Sequence, residues 1–266
     1  MILSKLGHSV LGKLDRKGRL EKNVISNVER KGLMKGVEEV LSQLKNQGRL
    51  GDVKGISVVE GTILKVERRG QDPIWVKVRG EPRTKRKLTL REESQRAKEI
   101  GEIAKITTEE APIRLAADRK TGVHALSHVK GEKGREFLQY RPSELAEALV
   151  FETISGVSDR LKRNIRWDEG IWGEIDFDEL QVGQPLEKRF NAQANPLVKL
   201  NTWAKKNGTG KVDEALPGFR STLKAEMDVW KRNKVKFRKV APTILKGDTA
   251  KRVDKYFSHL RRLYRL

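Results

Sequence analysis

The sequence predicts an α+β protein: a mostly helical body with a β-hairpin near residues 56–79 and basic N- and C-terminal parts. Three observations lead there. Apolar residues recur at helical spacing over most of the chain, one stretch switches to a period of two, and positive charge collects at the ends. Lys and Arg exceed Asp and Glu by 6 over residues 1–50, by 5 over 51–100 and by 12 over 201–266. Residues 101–150 balance and 151–200 carry −2, which completes the formal +21 of the 266-residue chain.

Residues 1–50 read as two helical pieces broken at glycines. Leu33, Val37, Val40, Leu41 and Leu44 fall at i, i+4, i+7, i+8 and i+11, one apolar face, which Gly48 and Gly51 end. From 56 to 79 the period changes. Ile74, Val76 and Val78 alternate with Trp75, Lys77 and Arg79, and Arg68-Arg69-Gly70-Gln71-Asp72-Pro73 has turn chemistry. A hairpin with an exposed basic face is expected. The charged stretch GEPRTKRK, residues 80–87, reads as a joint between an N-terminal segment, 1–80, and a main α+β domain, 81–266.

Helix follows from Leu90 to Ile106. Ala111–Ala117 reads as a short buried strand entering the turn Asp118–Gly122. After Pro142, Ser143 and Glu144 open a helix with Leu145, Ala148, Leu149, Val157 and Leu161 facing inward. Residues 166–200 are irregular and contain an acidic run. Pro217-Gly218 precedes a helix with Phe219, Leu223 and Met227 at four-residue spacing, and a last helix runs to the end from a cap at Asp248 or Thr249.

Composition removes several function classes. The chain has no cysteine, which excludes disulfides, Cys-ligated zinc, iron–sulfur clusters and thiol catalysis. No apolar run approaches a membrane span, and MILSKLGHSVLGKL is too often interrupted by Lys and Gly for a signal-peptide core. A cytoplasmic, nucleoid-associated or intravirion location is the expectation.

A neutral centre between basic ends points to a polyanion, first of all nucleic acid, DNA or RNA, held through its phosphates. Other proteins of a phage, mobile-element or ribonucleoprotein assembly are further expected partners, and a membrane is not. Arg83, Lys85 and Arg86 of the charged loop are the first expected contacts. Lys231, Arg232, Lys234, Lys236 and Arg238 come from KRNKVKFRK, read either as a strand with Val235 and Phe237 on its apolar face or as an exposed loop. Arg252, Arg261 and Arg262 lie on the polar side of a C-terminal helix, whose Val253, Tyr256, Phe257, Leu260, Leu263 and Tyr264 form a docking stripe. No helix-turn-helix, zinc-finger or RNP-type motif is present, so sequence preference is expected to be weak.

A binding protein of this kind needs no cofactor and no resident metal. Two alternatives remain open. One is a metal-dependent nuclease using Mg²⁺ or Mn²⁺, with Glu174, Asp176 and Asp178 at i, i+2 and i+4 on one face of a strand. The other is a structural protein docking on an acidic partner. Residues 113–120 end an apolar strand in Asp118-Arg119-Lys120, with Glu109 and Glu110 upstream. This stretch resembles the core of PD-(D/E)xK nucleases without the Pro-Asp half. The resemblance implies Asp118 as a metal ligand and Lys120 as the group that orients water or stabilises charge.

His124 and His128 stand at i, i+4 with no third ligand nearby and read as ordinary hydrogen-bonding histidines. Asn207–Lys211 resembles a phosphate loop only superficially, because Val212 stands where Ser or Thr would bind Mg²⁺; a glycine turn is sufficient. No serine or cysteine triad, dinucleotide fingerprint or kinase set emerges.

Overall fold

The computed structural model describes residues 27–59, 63–78, 89–107, 113–129, 132–133, 136–157, 165–168, 171–174, 182, 184–188 and 195–266. Among them are six α-helices, a five-stranded antiparallel sheet and a three-stranded antiparallel sheet, the mixed α+β architecture expected. The chain divides into two compact units, 1–97 with 112–128, and 98–111 with 129–266.

The first unit contains α1 (Asn27–Asn46), β1 (Val53–Val59), β2 (Ile63–Arg68), β3 (Gln71–Lys77), the start of α2 (Leu90–Thr107), β4 (Arg114–Ala117) and β5 (His124–Leu126). Its sheet runs β1-β2-β3-β5-β4, so the central β3 pairs with both β2 and β5. The apolar face read for α1 is real. Val37, Val40, Leu41 and Leu44 share one core with Leu64, Val66, Ile74, Val76 and Ala125.

The β-hairpin read for 56–79 is two hairpins in series, β1-β2 and β2-β3, the second turning at Arg69-Gly70. The expected basic exposed face is not found at the described positions of β3, and Arg79 lies outside the described residues. Ile74, Val76 and Val78 are buried as read, but Lys77 is buried too and Trp75 is half-buried. Alternation along a strand sends side chains to two faces, and it does not say that the second face meets water. Here Lys77 turns to a carboxylate on α2, and Trp75 turns to His128.

The second unit contains the remainder of α2, a small sheet of β6 (Glu132–Lys133), β7 (Ile165–Asp168) and β8 (Ile171–Glu174), and helices α3 (Pro142–Ser155), α4 (Pro196–Ala215), α5 (Phe219–Val240) and α6 (Thr249–Tyr264). Helix α3 starts with Pro142, and the Glu144 carboxylate accepts from the Arg141 N–H at 3.0 Å. It stops at Gly156, whose φ of 71° favours glycine and whose missing Cβ leaves room for the Val182 backbone. Val157 is therefore buried but outside the helix, contrary to the expectation, and Leu161 lies outside the described residues.

Asn195 caps α4 by accepting from the Leu197 N–H at 2.8 Å. Residues 207–211 lie inside α4, which kinks at Gly208 (φ 78°), so the glycine turn read there is a one-residue break in a helix. The segment 231–239 is neither strand nor loop. It continues α5, because Trp230 and Phe237, two turns apart, extend the buried stripe of Phe219, Leu223 and Met227. In α6 the stripe Val253, Tyr256, Phe257, Leu260 and Tyr264 is buried as read, with Leu263 partly so. Asp248 stands at the cap position of α6 without a side-chain cap bond, and pairs instead with Lys251 at 2.9 Å. No helix among the described residues is long and apolar enough to cross a membrane.

Candidate functional site

Thr89 starts α2. Its N–H and hydroxyl both donate to the Glu92 carboxylate, at 2.7 and 3.0 Å, which fixes the first turn. Glu93, Ala97, Ile100 and Ala104 then recur at i, i+4, i+7 and i+11, and all four are buried. A carboxylate therefore heads an apolar stripe. On the sheet, Lys77 ends β3 opposite Ile63 on one side and His124 on the other. Lys77 Nζ stands 3.4 Å from Glu93 Oε2, with the two side chains only 11% and 7% exposed.

Such a pair contributes little to net stability, because removing two charges from water costs about as much as their attraction returns. A buried lysine paired with a buried glutamate at a strand end is therefore more informative about function than about folding.

Hydrogen bonds tie down the strands and the loop beside the pair. His124 is buried, with Nδ1 2.9 Å from the Gly122 carbonyl. Trp75 Nε1 donates to His128 Nδ1 at 3.1 Å, so the two histidines serve separate hydrogen bonds rather than one metal. Gly122 has φ 82°, and a Cβ there would run into the backbone of Leu90 and Arg91. Arg91 Nε donates to the Lys120 carbonyl at 2.8 Å, tying the same loop to the start of α2. Burial and the nearby Arg119 lower the pKa of the Arg114 guanidinium, which donates to Ser94 at 3.1 Å.

Asp118 organises its own turn. Its carboxylate accepts from the N–H of Lys120 at 3.2 Å and from the N–H and hydroxyl of Thr121 at 2.9 and 2.5 Å. Partial burial pushes its carboxyl up, but the Thr121 and Lys120 bonds outweigh that and hold it below the ordinary value. Among the described residues no group of three or more His, Asp or Glu side chains could hold a metal ion. Glu174 ends β8, while Asp176 and Asp178 lie outside the described residues.

The cations expected to meet phosphate fall into three groups. Arg83, Lys85 and Arg86 lie outside the described residues. Lys231 and Arg261 both face Asp228, at 3.8 and 3.0 Å, Lys234 pairs with Asp254, and Arg232 acts on Glu226, whose carboxyl burial raises against the pull of that guanidinium. Lys236, Arg238, Arg252 and Arg262 are exposed, with no acidic partner among the described residues.

The sequence reading placed Lys77 on an exposed face and did not single out Glu93. The signals were present: a lysine inside Ile74-Trp75-Val76-Lys77-Val78, and a glutamate in register with a helix's apolar stripe.

No family model and no curated protein matches the chain. Among solved structures it is similar to the Rio2 kinase–ADP/Mg²⁺–phosphoaspartate complex from Chaetomium thermophilum, at 12% identity over 84% of this chain and 75% of that one, with a TM-score of 0.34. A score that low does not assign the fold.

Proposed function

We propose that the chain is a nucleotide-dependent phosphotransferase of the protein-kinase type. The observation that carries this is the buried ion pair between Lys77, at the end of the third strand of an antiparallel sheet, and Glu93, on the helix that follows. Phosphoryl transfer is mostly positioning and electrostatics, and in kinases a third-strand lysine held by a helix glutamate does that work on the phosphates.

Sequence features at the matching places support the reading. Gly61 lies between β1 and β2, where a loop covering phosphates belongs. Asp159 precedes Asn164 by five residues, the spacing of the catalytic aspartate and the metal-binding asparagine in the kinase catalytic loop. Asp176-Phe177 follows β8, as an Asp-Phe-Gly motif would. There are departures: Val157-Ser158 replaces His-Arg, Asp178 replaces the motif glycine, and the loop near Gly61 lacks the glycine triplet. Residues 158–164 and 175–178 lie outside the described residues, so these roles rest on spacing.

In this proposal Lys77 contacts the nucleotide phosphates and Glu93 keeps its ammonium in place. Asp159 accepts the proton of the acceptor hydroxyl. Asn164 and Asp176 supply hard oxygen donors of the kind that suits Mg²⁺, which would neutralise charge on the phosphates. Of the acidic run that the nuclease alternative would use, only Asp176 takes a metal role in this reaction.

The test is Mg²⁺–ATP binding by calorimetry together with ADP release by the purified chain. Lys77→Met is expected to abolish ADP release. Loss of one buried charge also destabilises, so the double variant Lys77→Met with Glu93→Leu is the control that restores packing. Wild-type ADP release from a folded double variant, or no nucleotide binding by the wild type, would overturn the proposal.

A further inference from the structure

Helices α5 and α6 pack along a seam in which their acids are used up. Asp228 on α5 accepts from Arg261 at 3.0 Å and also faces Lys231, while Asp254 on α6 takes Lys234 and the Trp230 N–H. Asp248, at the start of α6, is occupied by Lys251. Six further cations have nothing acidic to meet among the described residues: Lys236, Arg238 and Lys239 on α5, and Arg252, Lys255 and Arg262 on α6, all exposed.

Their spacing follows the helices. Lys236 and Lys239 share an outward row with Val235, and Arg238 comes one turn after the seam residue Lys234. On α6, Lys255 and Arg262 lie two turns apart on the side away from the buried stripe. Cations recurring at intervals of about 5–10 Å along a helix can follow a chain of phosphates.

We propose that the exposed faces of α5 and α6 dock a nucleic-acid backbone. A membrane surface fits less well, because the apolar stripe of α6 is committed to the core and Val235 is the one large apolar side chain exposed on either helix. An acidic protein surface would meet the same cations with less regular charge. The docking face is independent of phosphoryl transfer, and its test is arranged so that the two proposals fail separately.

The measurement is fluorescence anisotropy of labelled single-stranded and duplex oligonucleotides titrated with the full chain across a range of salt. The wild type is expected to bind at least one form with a steep fall of log affinity against log salt. The quadruple variant Lys236→Ala, Arg238→Ala, Lys255→Ala and Arg262→Ala should bind at least tenfold more weakly, with a slope lower by roughly one unit per lost contact, and should melt no lower than the wild type in low salt. The folded double variant Lys77→Met with Glu93→Leu, which removes the phosphotransfer pair in the other unit, should bind the oligonucleotides as the wild type does. A flat salt profile, or a quadruple variant that binds normally, overturns the proposal. So does displacement of the oligonucleotide by polyglutamate at equal charge, which would assign the face to an acidic protein, or equally strong binding to anionic vesicles, which would assign it to a membrane.

Discussion

At position 77 a lysine occupies the strand face that alternation would give to solvent, and only the partner helix explains why it is tolerated. Removing its charge leaves Glu93 buried and uncompensated, so Lys77→Met should cost about 3–5 kcal/mol in urea denaturation, and Glu93→Leu in the same chain should return most of it. The turn at 118–122 makes a different prediction. The Asp118 carboxyl is held below its ordinary value of 3.8, so its bonds stabilise the fold above that pH and lose their effect as pH falls through the folded value. Thermal melts of Asp118→Asn should therefore lie below those of the wild type at pH 6–7 and converge with them toward pH 2–3. Arg261 and Arg262, equivalent in the sequence, also separate here. Arg261→Ala loses the Asp228 contact and should lower stability by about 0.5–1 kcal/mol, whereas Arg262→Ala should leave the melting temperature unchanged.

Among the elements, those with a long apolar stripe were legible: α1, α2, the start of α3, the start of α5 and α6 all stand where periodicity placed them. The stretch 231–239 was not, because its dense cations obscured a stripe carried by Trp230 and Phe237 two turns apart. Lys77–Glu93 was hidden for a related reason. Each residue looks solvent-facing alone, and only the β3–α2 approach joins them. For α6, Leu260→Ala should destabilise by about 2–5 kcal/mol, since Leu260 is fully buried in the second unit's core. Helices α3 and α5 carry a pH-sensitive pair. Burial raises the Glu147 carboxyl, with Glu226 and Glu144 adding to it, and burial likewise raises Glu226 against the pull of Arg232. A raised carboxyl binds its proton more tightly in the folded state, so stability falls as pH rises from the ordinary value of 4.5 through the raised one. Glu226→Gln should accordingly raise the melting temperature more at pH 7 than at pH 4.

Over the whole molecule, the charge map was readable from composition alone, but its use was not. Counting charge cannot tell a lysine spent on Asp254 from one facing water, and the structure divides the C-terminal cations in that way. A formal charge of +21 also means self-repulsion in the folded state. Raising NaCl from about 50 mM to about 500 mM shortens the Debye length several-fold and should raise the melting temperature. The quadruple variant of α5 and α6 should show a smaller rise than the wild type.

Trp230 gives the α5–α6 seam an optical gauge. Its ring is buried, its N–H donates to Asp254 at 2.7 Å, and the Lys234 ammonium stands 5.9 Å from the ring centre. Indole emission responds to charges fixed around the ring, so the colour of this one residue reads both the docking of α6 and the field across the seam. With Trp75, Trp167, Trp172 and Trp203 replaced by Phe, the chain would carry an internal, label-free meter for whatever settles on its cationic helices.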